Sequence, residues 1–305
     1  TLSMTDTATG VEDSKEVSIS ETLSFTDSLS KTADISISET LSMTDSVSRS
    51  KTNNVSLSES ISLIDTHPSA PTNIVAKDHE TDDANGFTVL EFPESVKIFT
   101  IGASTYAIVA GKSGQNFPQQ PYDGVQIIDV TDPTNIVAKD TLTDNASLEL
   151  AQPIGVATYT LTGTHAGTYA IVTGLFDDGV QIIDISDPTD ISAKDVAQDD
   201  TSSITELNGP NDVDIFTIGS KTYAIVASVA DDGVQIIDVS NPNNIVASGE
   251  LDDCTGGCST KFLRGANAVD TFTLTGTYAG TYAIVASWTD SGVQIIDVSD
   301  PANIV

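Results

Sequence analysis

Cys254 and Cys258 stand in "DDCTGGCST", with two glycines between them. That spacing suits a local disulfide across a Gly-Gly loop, a bond that an oxidising compartment keeps closed. Half of a metal site is the competing chemistry, but no second Cys or His pair stands at ligand spacing to complete it. The three histidines, His67, His79 and His165, lie in unrelated contexts. No His-x-x-His, Gly-x-Ser-x-Gly or phosphate-cradling glycine loop accompanies them. The acidic pairs Asp177-Asp178, Asp199-Asp200 and Asp231-Asp232 sit where hairpin turns are expected, which is ordinary turn chemistry. The pattern therefore points away from an enzyme. Asn54 in "NVS" and Asn145 in "NAS" are glycosylation sequons.

A second set of carboxylates recurs at regular positions. From residue 17 the chain alternates, with Val17, Ile19, Glu21, Leu23, Phe25 and Asp27 on one parity and Ser or Thr on nearly all of the other. The pattern returns through Glu39 and Asp45, then through Glu59 and Asp65. A period of two is a strand signal, so residues 1–66 read as Ser/Thr-rich β-strand repeats. Stacked in register, the copies align Glu21, Glu39 and Glu59, and likewise Asp27, Asp45 and Asp65. Like charges opposite one another on a sheet repel unless solvated or bridged. Ca²⁺, a hard cation taking several oxygens, is the bridge such a ladder would hold, and the one cofactor the sequence suggests. Water-exposed strand edges kept soluble by charge, and a mucin-like flexible stalk, are competing readings.

Bulk composition narrows the partners. The 305 residues carry 12 Lys+Arg against 44 Asp+Glu, a formal net charge of -32. Nucleic acid is excluded as a partner, because so negative a surface repels phosphate. No apolar run approaches the ~20 residues of a membrane-spanning helix. "TLSMTD" at residue 1 matches the interior of a repeat, as does "DPANIV" at 300. The sequence thus reads as a portion of a longer secreted or cell-surface protein.

After a boundary near 67–71 a different unit begins. Its parts are "PTNIVAKD" (71), a variable polar connection, "VKIFTIG" (96), "TYAIVAG" (105) and "DGVQIIDV" (123). The last recurs around Gly179, Gly233 and Gly292, at intervals of 54 to 59 residues. Four short strands per unit at that spacing is the signature of a propeller blade. "TYAIVA" and "GVQIID" are apolar on both parities, as strands covered on both faces must be. The Gly after each acidic pair is expected to take a positive φ in a tight hairpin, and "SDP" or "SNP" to end the strand. Copies one and three share a short first hairpin, copies two and four a longer one. Residues 111–124 form an insertion confined to the first copy, a candidate recognition loop.

The pattern "TYAIVAS..DDGVQIIDVSDP.NIVA" resembles the LVIVD repeat, a β-propeller blade family of bacterial and archaeal surface and secreted proteins. The repeats "SISETLSMTDSVS" are similar to those of large cell-surface proteins of ammonia-oxidising archaea. The resemblance implies a β-propeller over 67–305 and carries no catalytic motif with it.

The expected fold is all-β, with four propeller-type blades behind the Ser/Thr-rich strands. The "NIVAKD" strand at 73–78 is expected either to complete the fourth blade by pairing with "GVQIIDV" at 292, or to be one of two competing copies, with Asn303–Val305 the other. Because a single blade cannot bury its own faces, repetition is the condition of stability. The functional expectation is an extracellular structural protein, self-associating into a filament or layer through strand contacts. A ligand-binding or adhesive propeller on a stalk, recognising other surface proteins or glycans, is the alternative.

Overall fold

The computed structural model describes residues 76–113, 123–201, 203–253 and 261–305. The Ser/Thr-rich repeats lie outside the described residues.

Among the described residues fifteen strands are arranged in four antiparallel meanders. The first contains β1 (Phe92–Ile101), β2 (Ser104–Lys112), β3 (Gly124–Asp129) and β4 (Val137–Thr143). The second contains β5 (Pro153–Leu161), β6 (Gly167–Gly174), β7 (Gly179–Asp184) and β8 (Ser192–Gln198). The third contains β9 (Pro210–Ile218), β10 (Lys221–Ser228), β11 (Gly233–Asp238) and β12 (Val246–Asp252). The fourth has three strands, β13 (Ala266–Leu274), β14 (Gly280–Ser287) and β15 (Gly292–Asp297). The longer hairpins of the second and fourth sheets each hold one turn of 3-10 helix, Gly163–His165 and Gly276–Tyr278. The duplicated two-blade pattern in the sequence is thus visible in the turns.

The all-β, blade-type expectation holds, and the structure corrects the phase of the unit. "NIVAKD" does not open a blade. As β4, and as its counterparts β8 and β12, it closes the sheet whose third strand precedes it. The turn chemistry is corrected as well. The left-handed residue in three of the hairpins is the one before the glycine, Asp178 (φ 52°), Asp232 (φ 57°) and Ser291 (φ 54°). In the second and third sheets the glycine is required for space instead. A Cβ on Gly233 would meet the Leu251 carbonyl oxygen of the fourth strand at 2.9 Å, and one on Gly179 the Ala197 carbonyl oxygen at 2.8 Å.

The first strands pack against one another in series, β1 on β5, β5 on β9 and β9 on β13. Three apolar layers fill the spaces between successive sheets. Val125 and Ile127 of sheet one meet Val156, Val172 and Ile183 of sheet two. Val180 and Ile182 meet Val213, Val226 and Ile237. Val234 and Ile236 meet Val269, Val285 and Ile296. Each sheet adds a cross-strand aromatic pair, such as Phe216–Tyr223 with ring centroids 5.5 Å apart.

Candidate assembly interface

Between sheets, polar groups are fixed by three recurring devices. The first is the glutamine of "GVQIID". Gln235 is buried; its Oε1 accepts from Thr205 N (3.1 Å) and its Nε2 donates to Gly249 O (2.9 Å) of the fourth strand. Gln126 and Gln181 repeat the pattern with Thr88 N and Asp140 O, and with Glu149 N and Asp195 O. Sequence reasoning passed over this residue. The signal was there: a polar side chain kept in every copy of a strand covered on both faces must have partners.

The second device is the aspartate of "AKD". Asp140 Oδ2 accepts from Ile191 N and Asp195 Oδ2 from Ile245 N, both at 2.8 Å, so each fourth strand is tied to the following sheet. At the third junction Gly249 takes that place, because a side chain there would collide with the Pro301 carbonyl oxygen.

The third is the acidic turn. Asp177, Asp231 and Asp290 accept amides of their own sheet, from Ala151, Asn208 and Arg264. Asp123, Asp178 and Asp232 accept amides of the next, from Gln152, Gly209 and Gly265. In the fourth sheet the latter position is Ser291.

These devices concentrate negative charge at the sheet junctions. Burial, with Asp231 and Asp252 nearby, pushes Glu206 up to about 8. Burial and Asp177 push Glu149 up to about 7, and the same two causes raise Asp144 to about 6. Asp231 rises to about 6, through burial and then Asp199. By contrast, the hydroxyl and amide of Ser299 hold Asp297 below its ordinary value, as those of Thr131 do Asp129. Among the described residues no three His, Cys, Asp or Glu side chains converge as a metal site requires.

The two ends of the sheet series differ from its interior. On β15, Val293 is 62% and Ile295 50% exposed, although their equivalents Val125, Ile127, Val180, Ile182, Val234 and Ile236 are fully buried. On β1, Val96 and Ile98 are each 57% exposed, whereas Val156 and Val213, the equivalents of Val96, are buried. Phe87 covers only the neighbouring part of that face, over Ala107, Val109 and Ile128. Beside Val293 runs a shallow groove of about 420 Å³, lined by Asn267, Ala286, Trp288, Ser291 and Gly292 among others. Trp288, the only tryptophan of the chain, is 67% exposed there.

Most of the site residues expected from sequence lie outside the described residues. Glu21, Asp27, Glu39, Asp45, Glu59, Asp65 and Asn54 lie outside the described residues, as do Cys254, Cys258, His67 and residues 114–122 of the insertion. Asn145 is exposed, with its Oδ1 accepting from Ser147 N. His79 is exposed beside Asp78, and His165 lies in a 3-10 turn where its carbonyl accepts from the Tyr169 hydroxyl.

The sequence model of the LVIVD repeat matches residues 166–196, 220–253 and 278–305. These stretches carry the second to fourth strands of sheets two and three and the last two strands of sheet four. The chain thus contains LVIVD repeats, consistent with a β-propeller-like repeat protein. No curated protein matches it. Among solved structures it is similar to a functionally unknown protein from Desulfotomaculum acetoxidans, with 12% identity over 68% of this chain and 53% of that one, TM-score 0.43. It is also similar to an exo-beta-1,3-galactanase from Phanerochaete chrysosporium, with 14% identity over 75% of this chain and 52% of that one, TM-score 0.48. A third is the PilY1 C-terminal domain from Pseudomonas aeruginosa, with 14% identity over 72% of this chain and 50% of that one, TM-score 0.42. The chain spans about half the length of these structures.

Proposed function

We propose that the protein is a non-enzymatic structural subunit of an extracellular filament or layer, joined copy to copy through its sheets. One observation carries this reading: the end faces expose the side chains that are buried at every internal junction. Val293 and Ile295 stand where Val234 and Ile236 pack on the next sheet, and Val96 where Val213 receives the preceding one. The surface that fits the trailing face is the leading face of another such unit, and in this reading a second copy supplies it. Such a contact is head to tail, and where its rotation does not close it propagates. The close carboxylates engage in amide hydrogen bonds between and within sheets, which supports a role in construction over one in catalysis. The surface location is supported by the acidic composition, suited to salty surroundings in which charge is screened.

The test combines sedimentation velocity with negative-stain electron microscopy, followed by the emission of Trp288. Concentrating the protein in high salt should yield elongated or sheet-like particles, with a blue-shifted emission as Trp288 leaves water. Val293→Asp with Ile295→Asp should remain folded and stay monomeric, since both sites are at least half exposed. Wild-type protein that remains a monomer at every concentration and salt would refute the proposal.

A further inference from the structure

The connection from β4 to β5 contains Asn145, Ala146 and Ser147, all three exposed to solvent, and they form the one glycosylation sequon among the described residues. Locally the segment is an Asx turn. Asn145 Oδ1 accepts from Ser147 N at 3.0 Å, and Asn145 O accepts from Leu148 N. The chain builds the same turn, with a Ser or Thr two residues on, six more times, headed by Asp129, Asp132, Asp184, Asp187, Asp238 and Asp297. In each of those the side-chain acceptor is an aspartate, so the turn itself does not call for an amide.

The backbone does not call for one either. Asp144 N donates to Asp123 O as Asp199 N does to Asp178 O, which makes Asn145 the counterpart of Asp200. Asp200 stands in the left-handed region, at φ 57°, where asparagine is favoured, whereas Asn145 does not. What the amide adds over a carboxylate is its Nδ2, and among the described residues this Nδ2 meets no acceptor. Asn85, Asn211 and Asn303, by contrast, donate theirs to Glu80, to the Asn267 carbonyl and to Asp300. The Ser147 hydroxyl is likewise unengaged among the described residues, although those of Thr134 and Thr189 donate at 2.7 Å to the aspartate heading their turn. Both groups that a sequon offers to chemistry are therefore free, and the residue between them is alanine, not the proline that would forbid the reaction.

We infer that Asn145 is a site of N-linked glycosylation, accepting a saccharide delivered on a lipid phosphate carrier. A bond forms between Nδ2 and the anomeric carbon of the first sugar as the bond from that carbon to the carrier's phosphate oxygen breaks. The electron pair of the broken bond leaves with the phosphate, and Nδ2 gives up one proton to a base of the transferring enzyme. The free Ser147 hydroxyl is available for that enzyme to hold the acceptor. The inference rests on the surface location proposed above, since such acceptors belong to surface loops of secreted proteins. It places a bulky, solvated group at the strand ends between sheets one and two, not on a sheet face.

The test takes the protein from the cells that make it, separated into surface and cytoplasmic fractions, and measures the mass of the peptide spanning residues 140–149 with fragmentation that keeps sugars attached. From the surface fraction this peptide should be heavier than its sequence by whole sugar residues, all carried on Asn145. Asn145→Asp, which keeps the acceptor of the turn, and Ser147→Ala should lose the increment entirely, while Ser147→Thr should retain it. All three variants change exposed residues and should give the far-ultraviolet spectrum of the wild type, which separates loss of the sugar from loss of the fold. An unmodified peptide from protein at the cell surface would overturn the inference and leave the proposed location standing. A sugar that maps to Ser147, or that persists in Ser147→Ala, would overturn it as well. Protein confined to the cytoplasm would remove both the inference and the proposed location.

Discussion

The buried glutamine offers the sharpest test of how the sheets are held. Gln235→Leu keeps roughly the same volume but strips the amide, leaving Thr205 N and Gly249 O, both part-buried, without the partner they share. A buried group left unpaired costs about 1–3 kcal/mol, so the two together predict a loss of about 3 kcal/mol. For a domain of this size 1 kcal/mol moves the melting temperature by about 2–4 °C, which places Gln235→Leu about 6–12 °C below the wild type. Gln294→Leu removes a single hydrogen bond, to Phe262 N, at an edge that water reaches. Its loss should be about 1 kcal/mol, or about 2–4 °C. Both melts belong in dilute protein that sedimentation shows to be monomeric, followed by circular dichroism in the far ultraviolet. Equal losses for the two variants would refute the reasoning, because it ties the cost to the presence of a fourth strand.

Three further outcomes follow from the same geometry. Asp195→Ala deprives Ile245 N of its acceptor across a junction and should cost about 1–2 kcal/mol, read as a lower denaturant midpoint with an unchanged slope. Glu206 and Glu149 have folded values above their ordinary 4.5, so the folded state binds extra protons and stability must fall as pH rises from about 4.5 to 8. Asp129, Asp184, Asp238 and Asp297, held low, contribute stability that disappears as pH drops below the usual carboxylate range, so the melting temperature should peak near pH 5. Glu206→Gln should flatten the alkaline limb and raise the melting temperature at pH 8 by about 2–4 °C, equivalent to about 1 kcal/mol once screening at this half-exposed site is allowed for.

The four-strand unit was legible because its signals are local. Val and Ile occupy both parities of "TYAIVA" and "GVQIID", Pro follows each third strand, and an acid precedes three of the four turn glycines. The phase of the unit was not legible, since "NIVAKD" reads equally well as the first strand of one blade or the last of another. Only the pairing of Ile128 with Ala138 decides between them. The turn glycine was assigned the wrong task for a related reason. Its neighbour Asp178 or Asp232 carries the positive φ, and the glycine answers to a carbonyl on a strand about twenty residues downstream. Such a constraint leaves no mark on adjacent sequence. The open face was invisible in the same way, because "GVQIID" is spelled identically at 179 and 292 while one copy is covered and the other open.

Whether open faces lead to assembly depends on two terms of similar size. Covering Val96, Ile98, Val293 and Ile295, each about half exposed, recovers roughly 1 kcal/mol per side chain, or about 4 kcal/mol in all. The lost freedom of association costs about 4–15 kcal/mol, so these four contacts alone hold nothing together. Backbone hydrogen bonds formed between copies would add about 0.5–1.5 kcal/mol each. Against both stands a net charge of -32 on each copy, whose repulsion reaches about 10 Å at 0.1 M salt and about 3 Å at 1 M. Acidic turns that staple neighbouring sheets within a chain therefore also oppose the joining of chains, until salt shortens the range of the field below the spacing of the faces.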